Sequence, residues 1–143
     1  MQILVEVHAR HRNTPVAHVV YGHRYRLTAT GEWWDLWNDA GACGYNSVWY
    51  MKRFEHRRRL PEADWFALAG FIAPAALEHR RETEPLGTPC FDLSPYVSGR
   101  PDWVAPATGV LHVFANDLTC LYWNNWGHIA LQVVAVDSRM VGA

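Results

Sequence analysis

The sequence predicts an all-β protein, a β-sandwich of jelly-roll type with one short helical or loop insertion. Three observations carry this expectation. Short runs rich in β-branched and aromatic residues recur along the 143 residues, Gly, Pro and Asn punctuate them at close intervals, and a single weak stretch has helix-forming composition.

Taken in order, Gln2–His8 alternates Ile3, Val5 and Val7 against Leu4, Glu6 and His8, the pattern of a half-buried strand. Residues 10–14 are polar and Pro15 closes them as a turn. Strands are expected over 16–21 and 23–29, with Gly22 at the bend between them. In the second, Tyr25 and Leu27 face one way and Arg24, Arg26 and Thr28 the other. A glycine turn at Gly31 ends it. Residues 34–46 read as a loop rich in oxygen donors, among them Asp35, Asn38 and Asp39.

The cluster at 55–59, with His56 and Arg57, Arg58 and Arg59, has the composition of a solvated basic surface. Residues 65–72 are continuously apolar and bounded by turn signals, the mark of a buried strand, with a short core helix as the alternative. Residues 74–83 have the composition of a short helix. Two further strands are expected at 109–114 and 128–134, and 136–143 reads as a frayed tail.

Half the residues are hydrophobic and 13 % aromatic, which argues against disorder and suits one domain spanning 1–143. The net charge of −1 provides no general attraction to nucleic acid or anionic lipid. No apolar run approaches the roughly 20 residues that span a membrane. Residues 1–7 do not form a leader, so the expected location is cytoplasmic, any extracellular role then needing a non-classical route of release. Cys43, Cys90 and Cys120 are odd in number and widely spaced, which suits a reducing compartment; a single bridge between Cys43 and Cys90 is the alternative. His8 and His11 form a His-x-x-His, but on a continuous strand they face opposite sides and make no metal pair.

The chemistry concentrates in Asn116-Asp117-Leu118-Thr119-Cys120-Leu121-Tyr122-Trp123-Asn124-Asn125-Trp126-Gly127, which holds one carboxylate and three carboxamides between two apolar strands. Such a loop is either a long Asx-rich turn or a rigid oxygen site for a hard cation, calcium above all, which takes ~6–8 oxygens. Its wording resembles the signature of the calcium-dependent galactose-binding soluble bacterial lectins typified by the first Pseudomonas lectin. That pattern is Asn-Asp, four residues, Tyr, one residue, Asn-Asn, one residue, Gly. Asn116, Asp117, Tyr122, Asn124, Asn125 and Gly127 match it without a gap. The strand and Gly-Trp around Trp33, the apolar strand at 65–72 and the phrase Trp103-Val104-Ala105-Pro106 are also similar, whereas 73–89 is an insertion relative to the family.

The resemblance implies a galactose-binding-domain-like sandwich and a calcium ion held by Asp117, Asn124, Asn125, the carbonyl of Leu121 and, where the family uses a backbone carbonyl, Asp35. It also implies galactose-type sugars or glycoconjugates contacted by Asp117, Leu118, Asn124, Asn125, His56 and Trp123, and self-association into a homo-oligomer. Thr119-Cys120-Leu121 and Trp123 depart from the family's wording. The sequence contains no Gly-x-Ser-x-Gly, His-Glu-x-x-His, P-loop or Gly-x-Gly-x-x-Gly motif, so no enzyme is expected. Acid pairs such as Glu62 with Asp64 are close only in sequence. The alternative function is a non-catalytic interaction or accessory module on the same sandwich with a degenerate sugar site.

Overall fold

A computed structural model describes residues 1–36, 38–47, 51–78 and 82–136. Among these residues ten strands follow one another: β1 (Gln2–His8), β2 (Thr14–Val19), β3 (Arg24–Asp35), β4 (Asn38–Ala40), β5 (Cys43–Tyr45), β6 (Trp65–Ala73), β7 (Phe91–Asp92), β8 (Trp103–Val104), β9 (Gly109–Ala115) and β10 (Asn125–Ala135). They form two antiparallel sheets. The first runs β1-β10-β3-β4 with β8 also on β3, and the second runs β2-β9-β6-β5 with β7 also on β6. The all-β sandwich expected from the sequence is what forms.

Side-chain parity assembles the core. In β3 the odd residues Tyr25, Leu27 and Trp33 are buried, and in β10 so are Ile129, Leu131 and Val133. They meet Val19, Phe66, Leu68, Leu111 and Val113 of the second sheet in one cluster. The same parity carries Asp35 and Asn125 inward at the end of the sandwich. They are register partners across β3 and β10, and both are buried.

The continuous apolar run of β6 has its reason in a second cluster. Leu60, Ala63, Phe71 and Phe114 pack with Leu77 and Cys90 on the outer side of the second sheet, so both faces of β6 are covered. The described part of the 73–89 insertion contributes to this layer, with the Leu77 N–H donating to His112 Nε2 at 3.0 Å. No helix forms among the described residues of 74–83; residues 79–81 lie outside them.

Several local expectations are corrected. Pro15 belongs to β2 rather than to a turn. It sits on an edge strand beside a register shift, where its missing N–H is tolerated. Gly31 continues β3 instead of ending it, at φ +96°, and a Cβ there would stand 3.3 Å from the His128 carbonyl oxygen. The loop at 34–46 contains β4 and β5. All three cysteines are free. Of the tail at 136–143 only Val136 is described.

The Asn-rich segment is not a hairpin. β9 lies in the second sheet and β10 in the first, so residues 116–124 cross from one layer to the other at the end of the sandwich. Asn116 anchors the crossing. Its fully buried carboxamide donates to the carbonyls of Leu60 (2.9 Å), Ala63 (3.1 Å) and Asp64 (3.0 Å) and accepts from the Leu60 N–H at 3.0 Å. Asn116→Leu leaves these buried groups without partners and is expected to lower stability by about 2–3 kcal/mol, read as a shift in the urea midpoint.

Candidate functional site

Residues 117–124 close one side of a cavity of about 230 Å³ at the end of the sandwich. Asp35, Leu36 and Asn38 close another, and Met51, Phe54 and Trp65 complete the wall. Leu118, Leu121 and Asn124 share the lining with Asp117. A short 3-10 helix, Thr119–Asn124, builds this side of the wall.

Asp117 is 1 % exposed. One carboxylate oxygen accepts from the Leu118 N–H at 2.7 Å and the other from Asn125 Nδ2 at 3.0 Å. Asn125 also donates to the Ala9 carbonyl at 3.1 Å, so it stands behind Asp117 and holds its orientation. Asp35 accepts from the Tyr45 hydroxyl at 2.9 Å. Burial, and then the charge of Asp35, push the Asp117 carboxyl up to about 7, with the two hydrogen bonds opposing. Burial raises Asp35 as well, offset by Tyr45. Two desolvated carboxyls thus repel across one small space.

Two more oxygens share this neighbourhood without hydrogen-bond partners among the described residues. The carboxamide oxygens of Asn124 and Asn125 are both buried. A buried acceptor left unpaired costs roughly 1–3 kcal/mol, so a pair beside two carboxyls marks a place that favours positive charge. The donors are all oxygen, and no cluster of three or more His, Cys, Asp and Glu able to hold a metal occurs among the described residues. The set has the hardness of a calcium site rather than of a zinc site.

The structure therefore gathers Asp35, Asp117, Leu118, Leu121 and Asn124 around the cavity, with Asn125 behind them. It does not bring His56 or Trp123 to the wall. His56 is exposed on a 3-10 turn, and Phe54 from the same turn lines the cavity. Trp123 is 68 % exposed on the outward side of its helix. Leu36 and Met51 carried no signal in the sequence. Leu36 adopts φ +55°, uncommon for a branched residue, and its carbonyl accepts from Trp126 Nε1 at 2.9 Å. Trp126 in turn stacks on Trp34 at 4.8 Å. Gly127 allows this arrangement, since a Cβ there would stand 3.2 Å from Trp33 Cα and 3.3 Å from the Trp34 ring.

Arg59 corrects the reading of 55–59 as a solvated surface. Its side chain is 2 % exposed, its guanidinium lies 3.4 Å from the centre of the Phe114 ring, and it pairs with Glu84 at 2.6 Å. It also donates to the Tyr122 hydroxyl at 3.1 Å and to the Arg12 carbonyl. Its backbone N–H donates to the Asp117 carbonyl at 3.1 Å. Tyr122, the aromatic residue of the signature, donates to the Ala115 carbonyl at 2.6 Å. Its role here is to brace the loop from beneath.

Neither a protein-family model nor a curated protein matches the sequence. The fold is similar to that of a solved chain described as the EclA N-terminal domain, a PllA-like lectin. The TM-score is 0.61 and the identity 16 %, over 94 % of this chain and 96 % of that one.

The raised carboxyl of Asp117 has a consequence for the metal-free protein. Its folded-state value of about 7 exceeds the ordinary 3.8, so its contribution to stability is fully present below about 4 and is lost as pH rises through about 7. Urea unfolding in chelator is expected to show a loss of up to roughly 4 kcal/mol over that window, and Asp117→Asn should flatten most of it.

Proposed function

We propose that this protein is a non-enzymatic, calcium-dependent carbohydrate-binding lectin that takes galactose-type sugars. The observation that carries the reading is the end of the sandwich itself. Two buried, mutually repelling carboxyls and two unpartnered carboxamide oxygens adjoin a cavity large enough for part of a monosaccharide. Support also comes from the likeness of fold to a chain described as a lectin, and from the match of Asn116 to Gly127 with the galactophilic signature.

The donor set suits a hard divalent cation. Asp35 and Asp117 would contribute charge, and Asn124, Asn125 and the Leu121 carbonyl would contribute neutral oxygens. When bound, calcium supplies positive charge and open coordination positions for two vicinal sugar hydroxyls. The chain does the rest. Asp117 accepts hydrogen bonds from those hydroxyls, Asn124 donates to them, and Leu118 bounds the space beside them. Phe54, Met51 and Trp65 offer the apolar wall against which the C–H face of a sugar ring packs. His56 and Trp123 stand outside the wall and would reach only a ligand extending past the rim. Self-association would add avidity, since several weak sites on one assembly act together.

The test is a calorimetric titration of chelator-treated protein with calcium, then galactose into the calcium-loaded sample. One calcium per chain is expected, with galactose heat only after loading. Asp117→Ala should weaken calcium by at least about 100-fold and abolish the galactose signal. Calcium uptake without response to any sugar on a glycan array would leave a metal-stabilised interaction module. Uptake of neither would make the crossing a structural turn.

A further inference from the structure

We propose that the stacked indoles of Trp34 and Trp126 form a second carbohydrate subsite at the rim of the cavity, on which the apolar C–H face of the next pyranose ring packs. The inference rests on the sugar-binding reading of the cavity and narrows its ligand class. The preferred ligand is a galactose-terminated glycan with at least one further sugar ring, rather than free galactose.

Strand register builds the pair. Trp34 and Trp126 are direct partners across β3 and β10, and their chain neighbours Trp33, Asp35 and Asn125 are buried, so both indoles project from the outer face. The rings are parallel to within 5°, with centres 4.8 Å apart. The one polar atom of Trp126 is already used. Its Nε1 donates to the Leu36 carbonyl at 2.9 Å, which fixes the indole's rotation and leaves its carbon surface to solvent. Trp126 is 51 % exposed even with one ring beside it. A flat apolar surface held in this way loses little conformational entropy when a ligand covers it.

Leu36 joins this surface to the cavity. Its side chain lines the wall and is 45 % exposed, and its N–H donates to the carbonyl of Asn124, another wall residue, at 3.4 Å. One residue therefore separates the oxygen-lined space from the indoles. The cavity, about 230 Å³, is smaller than the ~300–1,000 Å³ of sites that enclose a whole drug-sized ligand, so a longer glycan leaves across the rim.

Two residues farther along each strand, roughly 7 Å away, Glu32 and His128 are again register partners and are exposed on the same face. Rings for the C–H face of a pyranose, with a carboxylate and an imidazole beyond them for its hydroxyls, supply both kinds of contact that a sugar makes. The same two polar side chains bound the apolar patch closely. That suits a single sugar ring better than a protein partner, since the centre of a protein interface is depleted of charge.

The experiment loads the whole chain with calcium and titrates it by calorimetry with methyl galactoside and with a panel of galactose-terminated disaccharides, α- and β-linked. At least one disaccharide is expected to bind about 5-fold or more tightly than methyl galactoside, and Trp126→Ala should remove that advantage. Trp126→Phe, which keeps a ring without the N–H, should retain part of it. Tyr21→Ala, at an exposed aromatic position in the turn before β3 and so at the far end of the sandwich, should leave it unchanged. Far-UV circular dichroism checks that each variant is folded. No heat from methyl galactoside or from any disaccharide would overturn the cavity reading and the subsite with it. Methyl galactoside binding with no gain from any disaccharide, a gain that survives Trp126→Ala, or an equal loss for both ligands in that variant would overturn the subsite alone.

Discussion

Two carboxyls, Asp35 and Asp117, are buried close together at one end of the sandwich, and the surrounding structure is arranged so that neither can turn away. Taking a carboxylate out of water is costly unless a proton or a cation compensates it. Asp35 cannot turn away because it closes β3 directly opposite Asn125 and bonds Tyr45. Asp117 cannot because Leu118 and Asn125 hold one oxygen each. The energetic debt is local and standing, and a bound cation is one way to settle it.

The frame that maintains this arrangement lies on the other side of the second sheet. Arg59 joins three separate stretches of chain, through the Arg12 carbonyl, Glu84 of the insertion, and both Tyr122 and the backbone of Asp117 in the crossing loop. A buried guanidinium is tolerated because a carboxylate, a hydroxyl and one carbonyl accept from its two terminal nitrogens, and because two aromatic rings cover it. Asn116 performs the corresponding task for residues 60–64. The crossing loop is therefore anchored from below by hydrogen bonds to separate stretches of chain.

Strand parity divides the chemistry of the first sheet between its two faces. The odd residues of β3 and β10 run through the core and end in Asp35 and Asn125. The even residues face outward and include Glu32, Trp34, Trp126 and His128. Buried oxygens and an exposed imidazole thus arise from the same two strands, a few residues apart, and are kept distinct by the pleat.

The all-β class, the strands at 2–8, 65–72, 109–114 and 128–134, and the oxygen-rich stretch at 116–127 were legible in the sequence because they depend on local pattern. Alternation, apolar runs and clustered Asx residues are properties of neighbouring positions. Gly31 and Pro15 misled because their usual role in turns was overridden by pairing, which tolerates a glycine in β3 and a proline on an edge. Arg59 misled because composition alone cannot show that Phe114, Tyr122 and Glu84 will enclose a charge. What only the tertiary structure decided were meetings across long separations. Asp35 faces Asn125 through strand register, Phe54 rather than His56 reaches the cavity, and a turn after His8 sets the His11 ring 5.0 Å from that of His8. The physical reason is common to all three: one chain can place many donor types by local rule, but their mutual distances are set only when sheets pair and pack.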